Sequence, residues 1–512
     1  MDLEKLRERL YAVDYTVDGV QRRLGPVAHT ALDRNETTPG LRATVRPDPL
    51  GTLIRLFLLQ TPVPYAQAEQ ALPELVEPLC EAELLHLAGD TVRALVDIRP
   101  YGSDTARTDL WVVADLTPGM DGATPAVAGD HVLGVNAAAL TLAQLTVRRP
   151  ALRALDLGTG CGVQSLHLAG HASHIVATDV NPRALWMAGL TTTLNDPNEL
   201  SELDDPPDRV TIEVREGSLF APVANERFDL IVSNPPFVIS PRGELTYRET
   251  GLPGDELSRQ VVAEGAEMLA PGGTFQLLAN WLHVAGRDWR QRLRGWFERT
   301  GCDVWVVQRE VADPAEYVET WLKDAGWHGQ AGYRERYAEW LDWLHGQGVE
   351  GVGFGWITMR RTDAARPTVR IEDWPHRVVQ PLGPEVERWL DVVQWLRATD
   401  DDGLADTRLL VADDVHTEQI GQPGAEDPSV LMLRQRGAMC RSRTVDTALG
   451  GLVGACDGEL TIGQIADALA RLLLDQKPDA PDALALRARL LAETRSLLEE
   501  GYLHLVPADP WP

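Results

Sequence analysis

The chain has 512 residues, of which 44% are hydrophobic and 24% are charged, a composition typical of globular proteins. This length exceeds what one hydrophobic core normally organises, so we expect several domains. The 48 basic and 76 acidic residues give a formal net charge of −28. Such a field repels phosphate backbones, which counts against nucleic-acid binding by the whole surface but leaves room for a local basic patch.

The apolar runs are short and contain charges, as in TLIRLFLLQ (52–60), so we expect no membrane-spanning segment. The N-terminal MDLEKLRERLYAVDY is charged and helical in pattern, without the apolar core of a signal peptide. The cysteines form no CxxC pair and no metal-binding spacing: Cys80, Cys161, Cys302, Cys440 and Cys456. We therefore expect reduced thiols in a cytoplasmic protein with no membrane attachment and no metal site.

Residues 1–130 begin with helical patterns and end with strands. After the helical patterns LEKLRERLYAV and DGVQRRLG and a proline-containing stretch come three short amphipathic segments: GTLIRLFLLQ, YAQAEQAL and LVEPLCEAELLHLAGD. VRALVDIRPYG and DLWVVADL then alternate apolar and polar residues on either side of a polar turn. Three short helices followed by a β-hairpin is the order of a winged helix. Such a domain either recognises substrate or covers the core of its neighbour, and the sequence favours neither alternative.

Residues 131–362 alternate strand and helix patterns. Seven β-rich segments are bounded by Gly, Pro or Asp: LRALDLG, HIVATDV, VTIEVRE, FDLIVSN, GTFQLLAN, CDVWVVQRE and GVGFGWITMRR. Helical segments such as PRALWMAGLTTTL lie between them. This alternation predicts a doubly wound α/β fold, a mostly parallel sheet with helices on both faces. The last strand follows a Trp-rich stretch (317–344) and is expected at the edge of the sheet.

The remaining residues form two regions. Residues 363–430 are rich in Asp, Pro and Arg and weakly periodic, which predicts a linker or irregular segment with a few strands. Residues 431–512 contain three apolar-periodic helical patterns and a closing strand, YLHLVP. Thr461 is expected to cap the second of these helices. This C-terminal region predicts a small helical or winged-helix-like domain.

The first chemical motif is LDLGTGCGVQ (155–164). A strand ends at Asp156, and Gly158, Gly160 and Gly162 turn into a helix. Glycines let the backbone bend and approach a ligand without Cβ clashes. HIVATDVNP places Asp179 at the end of the next strand, where a carboxylate binds the ribose hydroxyls of a nucleoside in doubly wound sheets. The alternative is that Asp179 caps the following helix.

The second motif, IVSNPPFVIS (231–240), places Asn234, Pro235, Pro236 and Phe237 directly after a buried strand. The prolines end the strand and stiffen the backbone. The Asn234 side-chain oxygen and the Pro235 carbonyl oxygen can accept hydrogen bonds from a substrate NH₂ group. The stiff backbone holds these two acceptors in position before the substrate binds. Phe237 offers a face for a planar group. The alternative is a strand-ending turn, which the upstream glycine loop and Asp179 disfavour.

Together, DLGTGCG, Asp179 and NPPF resemble the class I S-adenosylmethionine-dependent methyltransferases. More narrowly, they are similar to the small-methyltransferase-domain group, which includes HemK-type protein glutamine methyltransferases and ribosomal RNA guanine-N2 methyltransferases. The resemblance covers about residues 131–362. It implies a Rossmann-like, seven-stranded sheet and S-adenosyl-L-methionine as cofactor. The flanking N- and C-terminal domains are expected to be small, mostly helical and winged-helix-like.

The resemblance also implies the roles of single residues. The cofactor contacts would be Asp156, Gly158, Thr159, Gly160, Gly162, Asp179, Val180, Gly217, Ser218 and Asn234. Ser218 stands where the family commonly has an acidic residue beside the adenine amino group, so the backbone of Gly217 or Leu219 is an alternative contact. Gly134 lies in HVLGVNAAALTLAQL, which resembles the family's segment that packs beside the cofactor just before the first strand. Asn234, Pro235, Pro236 and Phe237 would form the catalytic motif.

Substrate contacts are expected from Phe237, Tyr247 and Arg248, although an ion pair between Arg248 and Glu249 is an alternative. The fifth strand ends with Asn280, Trp281 and His283, and a histidine there is more often structural than catalytic. Two arginine groups occur outside these motifs: Arg434, Arg436, Arg441 and Arg443, and Arg287, Arg290, Arg292 and Arg294. The first could contact phosphate, and the alternative for both is salt bridging to the abundant acidic residues.

The leading hypothesis is methyl transfer to a planar NH₂ nitrogen, first of all the exocyclic amine of an adenine or guanine in RNA. Phe237, in place of the tyrosine usual in HemK-type enzymes, and the winged-helix-like flanks favour RNA. The alternative is a nitrogen of a protein glutamine, a peptide or a small metabolite, for which the negative charge is no handicap. A catalytically idle scaffold would show damaged motifs, whereas both motifs are intact.

Overall fold

The computed structural model describes residues 2–102, 109–122, 128–201, 209–235, 238–241, 254–423, 428–475 and 477–506. The chain divides into two compact units. One comprises Met1–Ala143 and Arg149–Trp374, and the other comprises Gln144–Arg148 and Pro375–Pro512. The domain boundary predicted at residue 130 therefore falls inside the first unit.

Short helices and strands form the N-terminal part of the first unit. The helices are α1 (Leu3–Ala12), α2 (Val17–Leu32), α3 (Thr38–Ala43), α4 (Pro49–Leu53), α5 (Tyr65–Ala71) and α6 (Val76–Glu81). The strands are β1 (Val63–Pro64), β2 (Leu85–Ala88), β3 (Thr91–Ala94), β4 (Val96–Tyr101) and β5 (Leu110–Asp115). The hairpin that follows α6 is β2–β3, with β1 on the other side of β3. The two segments predicted to pair as a hairpin do pair antiparallel, as β4 and β5. They follow the β2–β3 hairpin, of which VRALVDIRPYG (92–102) also contributes most of β3.

An eight-stranded sheet dominates the rest of this unit. Its strands are β6 (Ala151–Leu157), β7 (Ala172–Asp179), β8 (Thr211–Glu216), β9 (Phe228–Ser233), β10 (Leu269–Val284), β11 (Cys302–Ala312), β12 (Val349–Arg361) and β13 (Val369–Asp373). The helices are α7 (Ala137–Leu145), α8 (Val163–Ala169), α9 (Pro182–Leu194), α10 (Glu256–Met268), α11 (Trp289–Phe297), α12 (Pro314–Asp324) and α13 (Tyr333–Gly346). The strand order is β13-β11-β12-β10-β9-β6-β7-β8.

This topology confirms the doubly wound α/β fold and all seven predicted strands. Neighbouring strands are parallel except for β12, which is antiparallel to both β10 and β11. The expectation that β12 lies at the edge was wrong, because it pairs with a strand on each side. The edge position belongs to an eighth strand, β13, which adds in parallel to β11.

Apolar side chains cover both faces of the sheet. One cluster joins sheet residues such as Leu155 and Phe275 to α10 and α11, through Val261 and Trp296 among others. A second cluster joins the N-terminal helices and strands to α8 and α9, through residues such as Met187. Burial of this apolar area on both faces is the main stabilising contribution for such a fold.

Polar side chains of α9 and of the residue that follows it complete the hydrogen bonding of β5. The Trp111 backbone amide donates to Asn195 Oδ1 over 2.9 Å, and Asn195 Nδ2 donates to the Trp111 carbonyl over 2.7 Å. The Val113 amide donates to Thr191 Oγ1 over 3.0 Å. These bonds satisfy backbone groups that an open strand edge would leave unpaired. The N-terminal layer thus covers the core of its neighbour, and its part in substrate recognition stays a prediction.

The second unit contains two three-stranded sheets and several helices. Its helices are α14 (Gly383–Ala398), α15 (Asp401–Ala405), α16 (Thr447–Gly454), α17 (Ile462–Leu474) and α18 (Pro481–Glu499). Its strands are β14 (Arg408–Val411), β15 (Val415–Ile420), β16 (Val430–Gln435), β17 (Ser442–Val445), β18 (Asp457–Thr461) and β19 (Leu503–Leu505), in the orders β18-β14-β19 and β15-β16-β17. Thr461 caps α17 as expected, in a reciprocal capping box with Gln464.

The few strands predicted over residues 363–430 are present, but the expectation of a linker or irregular segment missed two helices. This stretch contains β13, α14, α15, β14 and β15, and α14 buries Val386, Trp389, Leu390 and Val393. The apolar residues recur at helical spacing, so the helix buries one face. The many Asp and Arg residues that suggested a linker do not interrupt the apolar residues of that buried face.

Across the described ranges, no helix combines the length and the apolar character that a membrane crossing requires. The five cysteines are free thiols, and Cys161, Cys302 and Cys456 are buried. No group of three or more metal-ligating side chains occurs in the part of the chain that the structure describes.

Candidate active site

A cavity of about 630 Å³ opens at the carboxyl ends of β6, β7 and β9. The chain runs from β6 through β7 to β8 in one direction and then crosses to β9 on the other side of β6. Ligands of doubly wound sheets bind at such a switch point. The cavity wall comes from parts of the segments 129–139, 157–164 and 178–184, from residues 217–219, from Asn234, Pro235 and Val238, and from Trp321.

Gly158 and Gly160 form an open cradle on this wall. Their φ angles are 75° and 55°, and a Cβ placed on either residue would meet no other protein atom within 4 Å. The amides of Gly158 and Thr159 donate to the Thr178 carbonyl over 2.9 Å, which fixes the loop to β7. The backbone can therefore approach a ligand where a side chain would intervene.

Gly162 has a different role from the one predicted. It does not line the cavity, and a Cβ on it would lie 3.1 Å from the Cα of Ala188 in α9. With φ at 82°, it starts α8 in a left-handed conformation. Gly162 thus allows close packing of α8 against α9.

Asp156 lies behind the glycine loop and not on the cavity wall. It is 1% exposed, and its Oδ2 accepts hydrogen bonds from the hydroxyls of Thr159 (2.6 Å) and Ser165 (2.7 Å). Burial raises the pKa of Asp156 to about 6, although the two hydroxyl bonds act in the opposite direction. Asp156 therefore holds the glycine loop in place. Its position behind the loop does not provide a direct contact with the cofactor.

Asp179 lines the cavity with a pre-oriented carboxylate. Its Oδ2 accepts from the Gly160 amide over 3.0 Å and its Oδ1 from the Asn181 amide over 2.9 Å. Each oxygen keeps a lone pair for a ligand hydroxyl. Burial raises the pKa of Asp179, and the backbone hydrogen bonds oppose that rise. The N-cap of α9 is Asn181, which accepts from the Arg183 amide, so the helix-cap alternative for Asp179 is wrong.

Residues 217–219 form the adjacent wall. The Gly217 amide donates to the Asp179 carbonyl over 2.9 Å, and Ser218 and Leu219 line the cavity. Leu219 has a φ of 48°, an unfavourable conformation for a leucine that the surrounding packing maintains. Val180, also predicted as a contact, lines the cavity and is largely exposed.

Residues 129–136 close one side of the cavity, a contribution of which the sequence indicated only Gly134. Asp115 at the end of β5 holds this segment. Its Oδ2 accepts from the Val132 amide over 2.7 Å, and both carboxylate oxygens lie 3.0 Å from Arg183 Nε. His131 Nδ1 lies 3.7 Å from Asp115 Oδ2. No spacing in the sequence connects Asp115 to these partners, which come from two separate segments.

Asn234 and Pro235 line the other end of the cavity, together with Val238 and Trp321. The preceding residue, Ser233, is fully buried and donates from its hydroxyl to the Leu157 carbonyl over 2.8 Å. This bond fixes the end of β9 against β6. The predicted site residues Pro236, Phe237, Tyr247 and Arg248, and Glu249 with them, lie outside the described residues.

The end of β10 does not contribute to the cavity wall. His283 stacks on Trp289 with ring centroids 5.3 Å apart, and its Nε2 lies 2.7 Å from Gln308 Oε1. Trp281 Nε1 donates to the same Gln308 oxygen over 2.9 Å. These contacts support the structural interpretation of His283.

Most arginines of the two candidate basic groups have acidic, aromatic or carbonyl partners. Arg434 pairs with Glu418, and Arg443 pairs with Glu493 and Glu500. In the other group Arg292 pairs with Asp255, Arg290 lies over the Trp289 ring at 4.5 Å, and Arg294 donates to the Val369 carbonyl. Salt bridging, the alternative to phosphate binding, thus accounts for Arg434, Arg443 and Arg292.

Residues 134–299, which include this cavity's glycine loop, Asp179 and Asn234, match the family model of the methyltransferase small domain. This part of the chain is a methyltransferase small domain. Two domains of unknown function flank the methyltransferase small domain, DUF7059 over residues 12–95 and DUF7782 over residues 387–504.

Curated relatives resemble the methyltransferase small domain over part of their length. Release factor glutamine methyltransferase of Geobacter sulfurreducens is 32% identical over 172 residues, 30% of this chain and 52% of that protein. Ribosomal RNA small subunit methyltransferase C of Alcanivorax borkumensis is 28% identical over 128 residues, 25% of this chain and 32% of that protein. The chain thus spans about half the length of the first of these relatives. A solved methyltransferase structure from Pyrococcus furiosus aligns with 44% of this chain and 81% of its own, at 16% identity and a TM-score of 0.25.

Proposed function

We propose that the chain is an S-adenosylmethionine-dependent N-methyltransferase that acts on a planar NH₂ group. One observation carries this proposal: a single cavity joins the Gly158–Gly160 cradle and Asp179 to the acceptor atoms of Asn234 and Pro235. A nucleoside-binding wall and a pair of NH₂ acceptors in one enclosure are what methyl transfer to such a nitrogen requires.

The residues of the wall fit the cofactor. The open positions above Gly158 and Gly160 accept a chain that passes close to the backbone. Asp179 would bind the ribose hydroxyls, and residues 217–219 would face the adenine. S-adenosylmethionine, when bound, supplies an electrophilic methyl group.

Asn234 and Pro235 orient the nucleophile. Their two oxygens can accept both protons of an NH₂ group, which directs the nitrogen lone pair away from those oxygens and reduces its delocalisation into an adjacent carbonyl or ring. Because the Ser233–Leu157 hydrogen bond fixes the strand end, the acceptors are in place before the substrate arrives. Positioning of this kind lowers the barrier without a reorganisation cost.

For the substrate, we propose a glutamine amide of a protein. The relatives named release factor glutamine methyltransferase support this choice, as does a net charge of −28, which disfavours a polyanion. The ion pairs of Arg434 and Arg443 remove two residues of the candidate phosphate patch. An amine of an RNA base is the second candidate, supported by the relatives named ribosomal RNA small subunit methyltransferase C.

The test uses tritiated S-adenosylmethionine and a cell lysate whose own methyltransferases have been inactivated by heat. The wild-type chain is expected to label a fraction that protease removes and ribonuclease leaves intact. Label lost on ribonuclease treatment would establish the RNA alternative. The Asp179→Ala variant is the control for transfer by contaminants, and a wild type that labels nothing would overturn the proposed activity.

A further inference from the structure

A helical insertion, residues 313–348 with α12 and α13, connects β11 to β12. These strands are antiparallel neighbours, which a turn of two residues can join. The insertion also contains Trp321, Trp327, Trp340 and Trp343. The sheet does not need a connection of this length and aromatic content. The role of the insertion therefore lies in the residues that it contacts.

The helical insertion packs against the residues that follow the NPPF motif. The Ile239 amide donates to the Tyr317 hydroxyl oxygen over 2.7 Å, and Tyr317 is fully buried. Ile239, Leu282, Tyr317, Val318 and Leu322 belong to one apolar cluster. The cluster and the hydrogen bond hold α12 against the segment that leaves the acceptor end of the cavity.

Trp321 follows Tyr317 by one helical turn, so the two side chains share a face of α12. Their ring centroids are 6.1 Å apart at an interplanar angle of 65°. Trp321 is half-buried, and it lines the cavity together with Asn234, Pro235 and Val238. The insertion thus presents an indole to the enclosure that holds the NH₂ acceptors.

We infer that the planar NH₂-bearing group of the substrate stacks on the indole of Trp321. We also infer that Tyr317, through its hydrogen bond with Ile239, positions Trp321. This inference rests on the proposed function and adds a specificity-determining residue to it. An indole face favours a planar amide or ring, whereas a saturated amine offers no flat surface to stack. The site would therefore select planar acceptors by shape in addition to the hydrogen bonds of Asn234 and Pro235.

Direct contact is tested by fluorine NMR of the full chain labelled with 5-fluorotryptophan. The chain has 15 tryptophans; Trp321→Phe assigns the resonance of interest, and Trp343→Leu assigns a control in the same insertion that does not line the cavity. S-adenosylhomocysteine is present throughout, and the probes are N-acetylglutamine methylamide, guanosine and cyclohexylamine. The Trp321 resonance is expected to shift with a planar probe and not with cyclohexylamine, while the Trp343 resonance stays. A Trp321 resonance that moves with neither planar probe, or equally with cyclohexylamine, would overturn the inference.

The two planar probes also separate the acceptor classes. A shift with the glutamine amide alone supports a protein acceptor, and one with guanosine alone supports RNA. Tyr317→Phe removes only the hydroxyl that accepts from Ile239, so the Trp321 resonance is expected to shift in this variant before any probe is added. An unchanged resonance would show that Tyr317 does not position Trp321.

Turnover gives an independent readout on the fraction that accepts label. Trp321→Leu is expected to raise the apparent KM for that fraction about tenfold, Trp321→Phe less, and Trp343→Leu not at all. The affinity for S-adenosylhomocysteine should stay unchanged in all three. If Trp321→Leu weakens cofactor binding as much as acceptor use, Trp321 belongs to the cofactor wall and the inference is wrong. A wild type that transfers no methyl group overturns the proposed function instead, because the NMR contact is measured without turnover.

Discussion

The Gly160 amide donates a 3.0 Å hydrogen bond to Oδ2 of Asp179. The end of the glycine loop is thereby bound to the end of the neighbouring strand, and the Asn181 amide holds the other carboxylate oxygen. A carboxylate that two backbone amides orient needs no reorientation when a ligand hydroxyl arrives. Affinity gained in this way comes from reduced ordering cost, because the contact geometry exists before binding.

Replacement of Asp179 should weaken cofactor binding selectively. A hydrogen bond to a charged group contributes about 1.5–3 kcal/mol, so Asp179→Ala is expected to lower the affinity for S-adenosylhomocysteine by roughly 10- to 150-fold. Asp179→Asn keeps one acceptor oxygen and should give an intermediate loss. Isothermal titration calorimetry measures both, with Glu310→Ala, an exposed acidic residue of β11, as the control. Unchanged affinity in Asp179→Ala would contradict the assigned role.

Alanine variants of two glycines can distinguish the effect of backbone strain on cofactor affinity from the effect of lost space for the ligand. Gly160 and Gly286 have φ angles of 55° and 68°, and a Cβ on either would meet no protein atom within 4 Å. Only Gly160 lines the cavity. Alanine in a left-handed conformation costs about 1–2 kcal/mol, so both variants should lose a similar free energy of unfolding.

Cofactor affinity should distinguish the two glycines. In Gly160→Ala the new methyl group enters the cradle, and we expect affinity for S-adenosylhomocysteine to fall about tenfold or more, while Gly286→Ala binds like the wild type. Urea unfolding and calorimetry measure the two quantities on the same samples. Equal loss of affinity in both variants would mean that strain, and not the cradle, determines binding.

The raised pKa of Asp156 predicts that the free energy of unfolding depends on pH. Its pKa rises from 3.8 to about 6 because the carboxyl is buried. A group whose pKa is raised in the folded state stabilises the fold fully below pH 4, and that contribution is lost as the pH rises through about 6. The shift corresponds to at most about 3 kcal/mol. Asp156→Asn keeps an oxygen that can accept from Thr159 and Ser165 and does not titrate.

The stability of Asp156→Asn relative to wild type is therefore expected to increase between pH 4 and pH 7. Urea unfolding of both proteins across this range measures the difference, in which the titration of all other groups cancels. A difference that stays constant with pH would show that Asp156 titrates normally in the folded chain. The comparison depends on no cofactor or substrate.

The sheet and the glycine loop could be predicted because their signals are local. A short apolar run bounded by turn residues shows the strand, and the glycines at 158–162 need no distant partner to be recognised. The position of β12 between β10 and β11 could not be predicted, since strand order depends on pairing between residues far apart in sequence. In α14 the signal was present: Val386, Trp389, Leu390 and Val393 recur at helical spacing, but the surrounding charges obscured it.

The site was predicted where one segment supplies its residues and missed where distant segments meet. Gly158, Gly160, Asp179 and Asn234 line the cavity as their motifs indicated. Asp115 and Trp321 belong to elements whose patterns describe only a strand and an amphipathic helix. Nothing in those patterns indicates which cavity a side chain reaches, because that depends on the packing of β5 and α12 against other parts of the fold.

Asn234 provides the prediction that separates catalysis from binding. It follows β9, which β6 separates from β7 and Asp179, so Asn234→Ala should bind S-adenosylhomocysteine with nearly wild-type affinity. Loss of a pre-positioned hydrogen-bonding group typically lowers turnover about 10²–10³-fold, and we expect a decrease of this size. Asn234→Asp keeps two acceptor oxygens and should retain more activity than the alanine variant. Calorimetry and single-turnover transfer of labelled methyl to the acceptor fraction measure the two effects. Unimpaired turnover in Asn234→Ala would refute the role of this side chain, whereas parallel loss of affinity and turnover would move Asn234 from the acceptor end to the cofactor wall.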